Sequence, residues 1–496
     1  MPSVRDAAVL IGTGANRLWL VEYGLLEDAN VSATADDIIV CIDAETEAQV
    51  ASALQEAWSL LHPDAPAATM KVPHSVRTLR TARQLAPEAT LVVVSTSGRR
   101  IAGLVREAIE GQNHVLLFSG GISVGEEVVL KREALRRGRL LLGPMASGAI
   151  LDGISYGVAS EVVRGHVGLL GTDGGAMQQT ISVIVRADRG VGIAHAIAVG
   201  SRELTAEVGG QSAELALRLL LEDSQVRTVV LLAVQFDRAI AQRLLQLLQE
   251  AGKPAVVALP GLDGEQVRRA GLMPARTFQE AGLLAVALDR QDPIESVQQF
   301  LDLENQGLYS QAQALRGRLR SGQRYVRGLY SSPSLCGEAF ITLQSVLPSV
   351  RSNLVLPGVK PLSNVHRSLG HTVVDMGTEA LLAGRLPPAL DCGPRNRRLL
   401  REAEDPAVAL ILMDVVLGTG AHPDPVGEMS PAIQSARAIA DAQGRHLLVL
   451  ASVSGTQLDP QDLWLQEEKL RDAGAVVLPS NVAAVKLAGL MAADTW

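Results

Sequence analysis

The chain has little with which to stack bases or sugars, little sulfur, and no surplus of positive charge. Aromatic residues make up 3% of its 496 residues, and the formal net charge is −8. Phosphate-backbone binding needs clustered Lys and Arg, and single-strand binding adds stacked aromatics, so nucleic acid is excluded as the main partner. The three cysteines, Cys41, Cys336 and Cys392, form no CxxC pair, and the nine histidines do not cluster with them. That excludes a disulfide framework and a structural zinc site. HRSLGH (366–371) has the wrong spacing for two ligands on one helical face, so no metal is expected. The longest apolar runs, VVLLAV (229–234) and AVALILM (407–413), are too short to span a bilayer. MPSVRDAAVL lacks the layout of a secretory signal, and the expectation is a cytoplasmic protein with no membrane partner. GxGxxG and Walker motifs are absent, which speaks against a nicotinamide dehydrogenase or a P-loop kinase; no cofactor is expected.

What is present is alternation. Residues 1–65 read as a small N-terminal α/β unit, with a strand in DIIVCID (37–43) and a helix in AETEAQVASALQEAWSLL (44–61). HPDAPAATMKVPHS (62–75) reads as a linker. Strands at 90–96, 114–120 and 139–144, with helices between them, predict a partial Rossmann-like domain over 76–160. A second series begins at HVGLLG (166–171) and fills 161–290. A helix plus linker covers 291–323, and a third series fills 324–496. The second and third series match in layout. LALRLLLEDSQVRTVVLLAV (215–234) parallels NRRLLREAEDPAVALILMDVV (396–416), each a Leu-rich helix, an acidic turn and a buried strand. The fold class expected is α/β, with duplicated flavodoxin-like parallel-sheet domains beside the partial Rossmann-like domain and the small N-terminal unit.

Open parallel sheets bind ligands at the C-terminal ends of their strands. LLGTDGGAMQQ (169–179) passes there from strand to helix. The helix-start amides around Gly171, Thr172, Gly174, Gly175 and Ala176 suit an anion such as phosphate. Asp173 would repel a phosphate, and its alternative role is the N-cap. SSPSLCGEA (331–339) is the counterpart turn, with Ser331, Ser332 and Ser334 as donors and caps. Asp414 breaks an otherwise apolar strand, and an ionised carboxylate there needs a partner. GTGAHPDP (418–425) adds Gly418, Gly420, His422 and Asp424 in one strand-end loop, with proton transfer as a candidate role for His422. Arg202 suits bidentate anion contact, and Thr456 lies in a further strand-end loop.

HAIAVGSRELTAEVGG (195–210), the GLY and CGEA pieces of 328–339, LMDVVLGTGAHPDPVGE (412–428) and SGTQLDPQ (454–461) together resemble the FdrA family, itself similar to succinyl-CoA synthetase. The resemblance implies ligase-type domains in 161–290 and 324–496, with phosphate held between two opposed helix starts, 171–176 and 331–335. It implies a subunit of a carbamoyltransferase acting on oxalurate and phosphate, with a small-molecule substrate and companion subunits. Asp414, His422 and Asp424 would then be catalytic. The alternatives are an NDP-forming acyl-CoA synthetase and a non-catalytic scaffold subunit. The synthetases carry phosphoryl on a histidine, whereas this chain has no histidine between His195 and His366. GPMASG (143–148), GTDGG (171–175) and GRLPP (384–388) stand where FdrA relatives carry GPDCGT, a GASGT-like turn and GRPHP.

Overall fold

The computed structural model describes residues 4–28, 31–34, 37–61, 76, 78–96, 100–187, 190–382 and 385–493. The linker expected at 62–75 lies outside the described residues. The chain divides into two compact units, one of Met1–Thr81 with Glu379–Pro387, the other of Ala82–Thr378 with Pro388–Trp496.

In the smaller unit, strand Val4–Ile11 pairs antiparallel with Ile38–Ala44, and helices Gly14–Glu22 and Glu47–Leu61 follow the two strands. Ala8, Trp19, Leu20 and Cys41 form its core. The guanidinium of Arg385, from the segment contributed by the middle of the chain, sits over the Trp19 ring, a cation–π contact.

Among the described residues the larger unit holds two seven-stranded sheets and one of three strands. The first large sheet runs, in spatial order, through 273–274, 255–258, 228–232, 164–171 and 193–198, all parallel. Taken in chain order from 164–171, this is the flavodoxin order 2-1-3-4-5. The second runs through 371–375, 325–330, 408–416, 448–454 and 476–478, again parallel and again 2-1-3-4-5. The expected duplication is therefore present in the sheets themselves. Each copy also extends its sheet beyond the second strand. The first adds the antiparallel hairpin Gly148–Leu151 and Ile154–Gly157, and the second adds 350–352 and 360–361.

One boundary differs from the sequence expectation. The hairpin 148–157 belongs to the first large sheet and not to the small three-stranded sheet of 91–94, 114–117 and 141–142. Its strands are too short to show a period. The stretch 291–323 is dominated by helix Glu295–Arg316, whose Val297, Leu301, Leu308, Ala312 and Leu315 enter the main core. It is a packed element, with apolar residues at helical spacing on one face.

Strand Arg164–Gly171 feeds helix Gly174–Arg186, and strand Tyr325–Tyr330 feeds helix Pro333–Gln344. These first strands are the switch points of their sheets, and their helices meet. A Cβ on Gly174 would collide with the Ser147 hydroxyl, and one on Gly175 with the Ser332 hydroxyl. Gly175 therefore allows the two helix starts to approach more closely than a side chain would permit, and Gly174 does the same for the loop carrying Ser147. Gly175→Ala should lower stability by about 1–3 kcal/mol through overpacking. In urea denaturation, adding Ser332→Gly should recover part of that loss, because it removes the group the new methyl strikes. Simple addition of the two losses would contradict the close approach.

Candidate functional site

Asp173 is the N-cap of helix Gly174–Arg186. Its Oδ1 accepts from the backbone N–H of Gly175 at 2.8 Å and, more weakly, from that of Ala176 at 3.4 Å. Its Oδ2 accepts from the hydroxyl of Ser334, in the first turn of helix Pro333–Gln344. One buried carboxylate thus serves the positive ends of two helices, one from each copy of the domain. Burial pushes its pKa up, while the Ser334 hydroxyl and the amides oppose that push. The second helix has its own cap, Ser332, whose Oγ accepts from the Leu335 N–H at 3.2 Å. Beside Asp173 lies a crevice lined by Thr172, Ser201, Val234, Gln235, Ser334 and Leu356 among others, with a cavity volume of about 30 Å³. That is room for a water and little more.

Asp414 is fully buried and fully engaged. It accepts from the Ser331 N–H at 2.8 Å and from the Ser331 hydroxyl. Arg395, itself buried, donates to its Oδ1 at 3.2 Å and to its backbone carbonyl at 2.7 Å. A carboxylate interrupting an apolar strand is thereby neutralised, and it fixes the turn that begins the second helix. On the far side of strand Tyr325–Tyr330 lies Asp375, whose pKa burial lifts to about 7, with Asp173 and Asp414 adding to the rise and the Gly377 N–H opposing it. Three carboxylates therefore gather near the two switch points. Asp375 was not singled out in the sequence, although HTVVDMG carries the same signal as Asp414, an acid at the end of an apolar strand.

The remaining candidates lie elsewhere. Asp424 caps helix Pro425–Ala442 by accepting from Gly427 N–H and pairs with Lys469 at 2.6 Å. His422 accepts at Nδ1 from the Asp424 N–H, which leaves Nε2 to donate to Glu428 at 3.0 Å. Gly418 and Gly420 press against the backbone of 157–159, with Gly420 N–H donating to Gly157 O at 3.0 Å. Thr456 donates to Glu161 O at 2.7 Å. These loops form a seam between the two copies. Arg202 donates to Glu127 at 3.0 Å and to Ile122 O, as part of a buried cluster with Lys131 and Glu203. Gly171, Thr172, Gly174, Gly175, Ala176, Ser331, Ser332 and Ser334 are the candidates that the fold brings to the helix starts. Asp414 reaches them through Ser331.

A second pair of contacts relates the copies. Gln179 and Glu338 each lie six places past the cap of their helices, Asp173 and Ser332. Gln179 Oε1 accepts from the N–H of Asn481, the first residue of the last helix of the second copy, at 2.9 Å. Glu338 Oε1 accepts from the N–H of Phe278, the first residue of the corresponding helix of the first copy, at 2.8 Å. Each copy thus caps a helix of the other, in a two-fold-like exchange. Asn481 also donates to Glu338, and burial raises the Glu338 pKa to about 7.

The CoA-ligase family model matches residues 329–491, and a family described as AllF, heavy metal-associated domain, matches residues 1–75. Uncharacterized protein YahF of Escherichia coli K12 is 33% identical over 483 residues, which is 97% of this chain and 92% of that protein. The chain belongs to the FdrA family. Solved structures are more distant. An ATP citrate lyase from Methanosaeta concilii shares 18% identity at TM-score 0.38, over 44% of this chain and 41% of that one. PH0766 from Pyrococcus horikoshii shares 14% at 0.32, over 81% and 84%. A dinucleotide-forming acetyl-coenzyme A synthetase from Ca. Korarchaeum cryptofilum shares 13% at 0.30, over 81% and 82%. The chain spans less than half the length of the archaeal ATP citrate lyases it matches, 41% and 43%.

Soft metals select thiolate ligands. Cys41 is buried in a strand, and the turn entering the first helix is closed by Thr13, which accepts from Asn16 N–H. No group of three metal-ligating side chains occurs among the described residues, and this set does not fit a heavy-metal site. Nor is any helix among the described residues long and apolar enough to cross a membrane.

The buried acids give a pH signature. The folded pKa of Asp375 lies above its ordinary value of 3.8. The stability it contributes is therefore complete below about pH 4 and is lost as pH rises through 7, at up to about 1.4 kcal/mol per unit. Asp375→Asn keeps an acceptor for Gly377 N–H and removes the titration. Its melting temperature should exceed the parent's by a margin that opens between pH 4 and pH 7 and then stays constant. A margin equal at pH 4 and pH 8 would show that Asp375 is not held protonated by its surroundings.

Proposed function

We propose that the chain is a CoA-ligase-class enzyme, of the acyl-CoA synthetase type, that handles a small acyl group at the crevice between the two switch points. The observation that carries this reading is the convergence of two helix starts, one per copy, on a single buried negative charge. Preorganised N–H and O–H donors of that kind stabilise charge that develops on an acyl or phosphoryl oxygen. The CoA-ligase match supports it, since it covers the copy that supplies Ser331, Ser332 and Ser334. The crevice walls carry Thr172, Ser201, Gln235 and Ser334 as polar groups and Val234, Leu354 and Leu356 as apolar ones, and a short acyl chain requires them to part, since the space present holds little more than a water.

The carbamoyl transfer implied by the sequence resemblance shares an acyl-phosphate bond with this reaction, but it exchanges the group between phosphate and an amide nitrogen and uses neither CoA nor a nucleotide. The CoA-ligase family match fits the wider acyl-CoA reading better. Companion subunits belong to the proposal in either form. A second reading, a non-catalytic subunit, is favoured by one observation: Asp414, Asp424 and Arg202 are each engaged by a partner in the fold.

The test is CoA-dependent turnover. The protein, alone and with companion subunits, is incubated with ATP, magnesium, CoA and a panel of short carboxylates that includes oxamate. Thioester formation is followed by absorbance, with oxalurate phosphorolysis run in parallel. The proposal expects thioester with at least one short acid, and Ser334→Ala should slow it at least tenfold. Oxalurate phosphorolysis without thioester formation would return the assignment to carbamoyl transfer. No turnover in any assembly would favour the non-catalytic subunit.

A further inference from the structure

The cradle between the helix starts is already occupied by a carboxyl group, and that group belongs to the chain. The amides of Gly175 and Ala176 and the hydroxyl of Ser334, the donors an incoming anion would use, are directed at the two oxygens of Asp173. The position is also confined. Gly174 and Gly175 leave no space against Ser147 and Ser332, and about 30 Å³ remains alongside. A second negative charge would also meet Asp375 and Asp414 on the neighbouring strands, of which Asp414 is offset by Arg395. The cradle therefore directs its donors at an acceptor oxygen, and it is filled from within.

We propose that Asp173 is a built-in competitor for this site: the helix starts admit a phosphate-like oxyanion only when the Asp173 carboxylate is displaced or removed, so this one residue sets the charge selectivity of the crevice. The inference deepens the acyl-CoA synthetase reading, because it says how phosphate and acyl phosphate are held off the helix starts in the resting protein. Entry of such a group is an exchange, in which the carboxylate gives up its two amides and the serine hydroxyl and the incoming oxygens take them. The selectivity is a property of position 173 in this sequence, where a small neutral capping residue would leave the cradle open.

The experiment measures binding of inorganic sulfate, whose charge does not change near neutral pH, to the full-length chain by calorimetry. Asp173→Ser and Asp173→Gly both retain an acceptable N-cap while removing the carboxylate, and circular dichroism checks that they fold. The parent should bind sulfate weakly. Both variants should bind it at least tenfold more tightly, and Ser334→Ala added to Asp173→Ser should lose most of that gain. Equal affinity in the parent and the folded variants, or a gain that survives Ser334→Ala, would overturn the proposal. Binding is read without turnover. A chain that makes no thioester yet gains sulfate affinity contradicts only the proposed function, and an active chain with no such gain contradicts only this inference.

Discussion

A carboxylate buried between two helix starts is the constraint around which the larger unit is arranged. Left alone, an ionised Asp at that depth would carry a large desolvation cost. Asp173 meets it with backbone amides from its own helix and a hydroxyl from the facing one. The same contact gives each helix start an acceptor that water would otherwise supply. Close approach is the condition for this sharing, and Gly175 provides it by having no Cβ to hold the helices apart. The glycine-rich turn thus belongs to the packing of two domains as much as to the turn itself.

The rest of the seam repeats the device at lower stakes. Gln179 and Glu338 reach across to cap each other's domains, and the loops carrying Gly418, Gly420 and Thr456 rest on the hairpin and loop at 157–161. Polar residues inside such an interface cost stability if unpaired and specify the register of packing if paired. The two-fold-like exchange follows from duplication: the same position past the cap, in two copies of one fold, meets the same helix of the opposite copy. It differs in chemistry, a neutral amide on one side and an acid on the other, and the acid is the one whose burial lifts its pKa.

Much of the architecture was legible in the sequence because parallel strands buried on both faces read as continuous apolar runs. HVGLLG, TVVLL, AVVA and VALILMDVV are all strands where the runs place them. The duplication followed from the order of those runs. The short strands at 148–157, 350–352 and 360–361 were not legible, since a few residues show no period and pairing depends on the rest of the sheet. At the site, the two turns were found from their glycines and serines, but their relation was not. Asp173 and Ser334 are far apart in the chain, and only the packing of two copies makes them one feature. Asp414 was read correctly as needing a partner, while its partners, Arg395 and Ser331, are supplied by tertiary structure. Thus the sequence marked the strand ends, and the fold decided which of their polar residues face one another.

The account therefore depends on the energetic link between Asp173 in one copy and Ser334 in the other, and a double-mutant cycle measures it directly. Urea unfolding of the parent, Asp173→Ala, Ser334→Ala and the double variant gives the coupling between the two positions. The account predicts a coupling of at least about 1 kcal/mol, as expected for a buried hydrogen bond to a charged group. Additivity to within about 0.5 kcal/mol would show that the two helix starts are neighbours without being joined.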